Sequence, residues 1–173
     1  MVYVIHSTNL DNLLNILKSS ILYANKYVDK TKWRLSGNQD SKYIYTNIYI
    51  PKPKVPNFGP ALIFNKDILQ KESYIFNEAW VAGPYEDSVF VHSNDTKEVK
   101  MEKINKITNY VDKMEIFIKH ELLFVAMLPI KEYLVGIICP KCDKATLKKI
   151  QKLLKNKKIN NVKIYTSEYL PDK

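Results

Sequence analysis

Between Tyr43 and Ile50 the side chains alternate without a break: Ile44, Thr46, Ile48 and Ile50 fall on one side, and Tyr43, Tyr45, Asn47 and Tyr49 on the other. An extended strand sorts residues in this way, because successive side chains leave a pleated backbone on opposite faces. The apolar file must pack against something, so the segment is predicted to be a sheet strand with at least one covered face. Shorter β-rich runs recur at 2–6, 21–24, 61–64, 73–76, 88–92, 134–139 and 162–165. The most β-like stretch extends from about Ile116 to Met127 and is stopped by Pro129.

Helical spacing interrupts these runs. Leu10, Leu13, Leu14 and Leu17 stand at i, i+3, i+4 and i+7, which makes one apolar stripe. Thr8 is the expected N-cap, with Asp11 completing a capping-box-like pair, and Ser19 and Ser20 end the helix. A second helix is predicted from about Thr96 to Lys113, where Ile104, Ile107, Val111 and Met114 keep the period. A third spans Ala145 to Lys155, with Leu147, Ile150, Leu153 and Leu154 on one side, and Asp67 to Gln70 has room for one helical turn. Residues 25–42 read as a polar loop, and the prolines and glycine between 51 and 60 exclude regular structure there. Strands and helices mixed in this order predict an α+β fold, a split mixed or antiparallel sheet with flanking helices. No repeat or linker divides the chain, so 1–173 is one predicted domain.

A chain of 173 residues with 46% hydrophobic content has enough apolar surface for a core. No apolar run approaches the length of a membrane span, and no basic-then-apolar leader opens the sequence. Cys139 and Cys142 are the only cysteines, too few for a disulfide framework, so an intracellular, cytoplasmic location is expected. As a single CxxC they also lack the second pair of ligands that structural zinc takes, and no metal site is predicted. The net charge of +9 suits an anionic partner such as DNA or RNA. It is nearly all lysine, as A+T-rich codon usage would give, and Arg34 is the sole arginine.

Four places could carry chemistry. His6 sits where the first strand passes into a helix, whose free N–H groups favour phosphate; it reads either as a ligand for a ribose hydroxyl or as a buried, satisfied histidine. Glu121 opens an apolar run, His120-Glu121-Leu122-Leu123-Phe124-Val125. A carboxylate there must be exposed, paired or functional, and alternation points it away from the face of His120. The tyrosine row could stack on a flat heterocycle or simply pack. The guanidinium fork of Arg34 suits phosphate or carboxylate.

Taken together, these features resemble the ADP-ribosyltransferase superfamily, in particular its DarT-like branch. The opening VYVIHSTNLDNLLNILKSSILYA is similar to that family's opening, with its His-x-Thr and short Leu-rich helix. The block HELLFVAMLPIKEYLVGIIC resembles its second signature, and the closing helix with VKIYTSEY follows the same order. The resemblance implies NAD as substrate and nucleic acid or protein as acceptor. It implies that His6 and Thr8 grip the NAD ribose and nicotinamide amide, and that Tyr45 stacks on nicotinamide. Glu121 would bond the nicotinamide ribose and orient the acceptor, and Arg34, the second catalytic candidate, would meet the pyrophosphate. Two departures stand out: Ser20 replaces a usual glycine, and 95–119 has no recognisable substrate loop. The alternative implied is an inactive relative that binds nucleotides, nucleic acid or, in a virus, a host partner through its basic surface.

Overall fold

The central β-sheet of the computed structural model, which describes residues 1–34, 38–52, 59–114, 119–167 and 169–170, has eight strands. In chain order the elements are β1 (Tyr3–Ser7), α1 (Leu10–Ser19), β2 (Ile21–Tyr23), β3 (Tyr43–Tyr49), β4 (Ala61–Asn65), α2 (Asp67–Lys71) and β5 (Tyr74–Asn77). Then follow β6 (Val89–Val91), α3 (Lys97–Asp112), β7 (Glu121–Val125), β8 (Met127–Pro129), β9 (Leu134–Ile138), α4 (Lys144–Asn156) and β10 (Lys163–Tyr165). The large sheet runs β10-β9-β4-β1-β3-β7-β5-β6, and β2 pairs with β8 apart from it. Its pairings are antiparallel except β9 with β10, which α4 joins as a parallel crossover.

The sheet is split at β3. The C-terminal half of that strand pairs with β1, from Tyr3↔Tyr49 to Ile5↔Asn47. Its N-terminal half pairs with β7, from Tyr43↔Val125 to Thr46↔Leu122. After Ile5, therefore, β1 leaves β3 and remains paired only with β4, through His6↔Leu62 and Ser7↔Ala61. A wedge opens beside Tyr45.

Alternation fixes what lies above and below. Val4, Ile44, Ile48, Leu62, Leu122 and Phe124 join Leu13, Leu17, Ile107, Val111, Ile150 and Leu154 in one core beneath the helices. Ile5, Tyr49, Ala61, Ile63 and Ile138 form a smaller cluster on the other face, closed by Leu170. Gly136 lies at a close approach in the sheet: a Cβ there would stand 2.9 Å from Ile63 Cδ1 and 3.0 Å from Tyr165 Cε2.

Two local readings need correction. The N-cap of α1 is Asn9, not Thr8: its side chain accepts from the Asn12 N–H at 2.9 Å, while the Thr8 N–H is used on Pro60 O. Asparagine one position later caps as well as threonine, so β1 runs on to Ser7 before the helix starts. The long strand expected from Ile116 to Met127 is two strands. Ala126, at φ 64°, turns the chain from β7 into β8, and its N–H and carbonyl bond Lys42 O and Ala24 N. Residues 116–118 of that expectation, and 53–58 of the expected proline loop, lie outside the described residues. The helix expected at Thr96 begins as read, with Thr96 as its side-chain cap.

Among the described residues no helix is long and apolar enough to cross a membrane, and no group of three or more His, Cys, Asp and Glu could hold a metal. Cys139 and Cys142 are joined as a disulfide at the entry to α4.

Candidate active site

Glu121 is the first residue of β7, flanked by β5 and β3, and is only 2% exposed. Its carboxylate is held by hydrogen bonds alone among the described residues. Oε2 accepts from Asn77 Nδ2 at 3.2 Å, from Val81 N at 3.2 Å and from Ala82 N at 3.0 Å; Oε1 accepts from Ala82 N at 3.2 Å. Convergent N–H donors let a carboxylate stay buried without a cation.

The donors come from two places. Asn77, fully buried, stands directly across from Glu121 in the β5–β7 register. Val81 and Ala82 belong to the loop between β5 and β6, which folds over the carboxylate. Ala82 takes φ 60°, and its carbonyl accepts from the Tyr45 hydroxyl at 3.1 Å. That hydroxyl also meets Ser41 Oγ at 2.8 Å. Tyr45 on β3 thus clamps the loop that covers Glu121.

His6 is half-buried and approaches from the other side of β3. Its Nδ1 lies 2.9 Å from the Tyr45 carbonyl, across the wedge where β1 parts from β3. A carbonyl can only accept, so Nδ1 carries the proton. Burial pushes the imidazole pKa below its usual value, against a smaller upward pull from that bond. The ring is therefore neutral near pH 7, and its Nε2 has a lone pair free to accept a hydroxyl proton.

Strand alternation places His6 on the Val4 face and Glu121 on the Tyr45 face. They are brought to the two strands flanking β3 and linked through both ends of Tyr45, but they share no single pleated face. Thr8 lies just beyond His6, half-buried, its backbone tied to Pro60. Arg34 is elsewhere. Its backbone is pinned to α1, with its carbonyl accepting from Asn9 and Asn12 and its N–H donating to Asn12 Oδ1. Its exposed side chain borders a cavity of about 420 Å³ along α1, with Asp11, Lys18, Trp33 and Lys149 of α4. That cavity is lined by none of His6, Thr8, Tyr45 or Glu121.

His120 turns away from Glu121, as alternation requires. It is completely buried, accepts from the Ile48 N–H at 2.8 Å through Nε2, and packs on Phe76. It is a structural histidine. Tyr49 is likewise core, while Tyr43 is half-buried under Lys42.

The sequence reading missed Asn77, Ser88 and the backbone of Val81 and Ala82. Asn77 ends the apolar run Tyr74-Ile75-Phe76. An asparagine closing such a strand was the available signal, because the cost of burying its amide demands partners.

A family model described as a family of unknown function (DUF5846) matches residues 1–114. A protein of Acanthamoeba polyphaga mimivirus, "Uncharacterized protein R11", is 27% identical over 96% of this chain and 71% of its own length. Among solved structures, Thermus sp. 2.9 DarT in complex with NAD+ superposes with a TM-score of 0.60 at 14% identity, covering 97% of each chain. The same enzyme in complex with ADP-ribosylated ssDNA gives 0.60 at 14% identity, covering 97% of this chain and 96% of that one. The chain belongs to the DUF5846 family, and its fold is that of the DarT-like ADP-ribosyltransferases.

Proposed function

We propose that this protein is an intracellular ADP-ribosyltransferase that takes NAD as its substrate and modifies nucleic acid. The observation that carries the proposal is Glu121: a buried carboxylate at the head of a strand, beside a tyrosine whose carbonyl orients a neutral histidine. In this reading the dinucleotide would approach both residues at the wedge between β1 and β3, where Tyr45 links them. His6 Nε2 accepts from a ribose hydroxyl, Thr8 holds the nicotinamide amide, and the Tyr45 ring stacks on nicotinamide. The pyrophosphate falls to Arg34 by the family resemblance alone, since its backbone is held on α1, apart from the other four residues. When the bond between nicotinamide and ribose breaks, its electron pair leaves with nicotinamide and the ribose becomes oxocarbenium-like. The Glu121 carboxylate stabilises that charge and orients the incoming base. The base nitrogen bonds the ribose carbon and gives up its proton to solvent water.

The DarT structures hold NAD+ and ADP-ribosylated ssDNA, and the net charge of +9 suits the same class of acceptor. The mimivirus relative favours a viral protein working in host cytoplasm. A second reading, an inactive nucleotide-binding relative, is favoured by one observation: the carboxylate is already occupied by Val81, Ala82 and Asn77.

Labelled NAD incubated with single-stranded DNA, RNA or protein decides between them. Transfer to nucleic acid by the wild type, lost in Glu121→Gln with the fold intact, is expected. NAD binding by calorimetry without transfer to any acceptor would select the second reading, and no NAD binding would remove both.

A further inference from the structure

We propose that Asn77 is the positioning residue of Glu121, the donor that fixes Oε2 and leaves Oε1 for the substrate; the inference rests on the transferase reading above. The four contacts to the carboxylate are not equivalent. Those from Val81 and Ala82 come from a loop whose Val81 is 45% exposed and whose neighbour Trp80 is 74% exposed. A substrate reaching Glu121 displaces these first. Asn77 sits inside the sheet, fully buried, on the register position facing Glu121.

Its amide is locked at every corner. Nδ2 bridges Glu121 Oε2 at 3.2 Å and the Gly83 carbonyl at 2.9 Å, while Oδ1 accepts from Ser88 Oγ at 2.7 Å. Ser88 Oγ accepts in turn from the Tyr85 N–H at 2.8 Å, which aims its proton at Asn77. The amide therefore cannot flip without losing a bond on each side. Among the described residues Oε1 has only the Ala82 N–H, at 3.2 Å, so when the loop yields it is the oxygen presented where the loop has been. Glu121 keeps one anchored oxygen and presents the other.

The test compares wild type, Asn77→Ala and Asn77→Ser, with Ser88→Ala as a milder probe of amide orientation. Single-turnover transfer and NAD affinity are measured together, and urea unfolding confirms folding. Asn77→Ala is expected to lose about tenfold to a hundredfold in transfer rate, with the Kd for NAD changed by less than about threefold. Asn77→Ser, which retains a donor, should recover part of the rate. A rate unchanged in folded Asn77→Ala, or a loss wholly in NAD affinity, overturns the proposal. Should wild type transfer nothing, the functional reading has failed on its own. The Asn77→Ala/Glu121→Gln double-mutant cycle in urea unfolding then decides, and additive midpoint shifts would sink the positioning role.

Discussion

The imidazole of His6 donates to the backbone carbonyl of Tyr45 across the gap that opens where β1 leaves β3, at 2.9 Å. One residue of β3 thereby serves both sides of the site, since the Tyr45 hydroxyl holds the loop over Glu121. The bond sets the tautomer and leaves Nε2 as an acceptor, so a residue that fills the volume without that acceptor should bind NAD poorly. His6→Phe is expected to weaken NAD about tenfold or more in calorimetry, the cost of a missing hydrogen bond to a ribose hydroxyl. Equal affinities for wild type and folded His6→Phe would exclude the ligand role.

His120 predicts an acid limb in stability. Burial pushes its pKa from 6.5 down to about 4. The unfolded chain then binds the proton more readily than the folded one, so this stability is present above about pH 6.5 and is lost as pH falls toward 4. Protonation also destroys the acceptor that Nε2 offers to Ile48. Between pH 7 and 5 the contribution is about 2 kcal/mol. His6 is shifted in the same direction, so the comparison must be made against His120→Gln, which keeps an acceptor but does not titrate. The gap between urea midpoints at the two pH values should narrow in that variant; an undiminished acid loss would place the titration elsewhere.

Ser20 marks a conformational cost that glycine would remove. It ends α1 at φ 63°, its N–H bonded to Ile16 O and its carbonyl accepting from Ile130. Left-handed backbone is unfavourable for a residue with a Cβ and free for glycine. Ser20→Gly is expected to stabilise the fold by about 0.5–1 kcal/mol, a rise in Tm of about 2 °C for a chain of this size. A lower Tm would mean that the serine side chain contributes more than its backbone strain removes.

The elements were legible where pattern alone decides: the alternation of Tyr43–Tyr49 and the leucine stripe of α1 both appear as read. Cap and strand-end details were not, because Thr8 and Asn9 are both accepted N-caps and the choice between them depends also on how far β4 holds β1. Glu121 was recognisable as an ionisable group that opens an apolar run. Its partners were not, since Val81 and Ala82 bind through backbone N–H groups that any sequence possesses. The separation of Arg34 from the other candidates was equally invisible, for it depends on Asn9 and Asn12 drawing its loop onto α1.

Tyr45 offers a way to loosen the loop without touching the carboxylate. Tyr45→Phe retains the ring for stacking, and it deletes the hydroxyl that donates to Ala82 O and meets Ser41. Ala82 is left with φ 60° and one tie fewer, so the loop should open more often while Asn77 still holds Glu121. Losing one hydrogen bond of this kind is worth about 1 kcal/mol, enough to raise the open population severalfold. Hydrogen exchange at the Val81 and Ala82 amides should therefore accelerate by about fivefold relative to wild type, with exchange in β5 and β7 unchanged. Unaltered exchange at those two amides would show that the carboxylate and the Asn77–Gly83 bond, and not Tyr45, keep the loop closed.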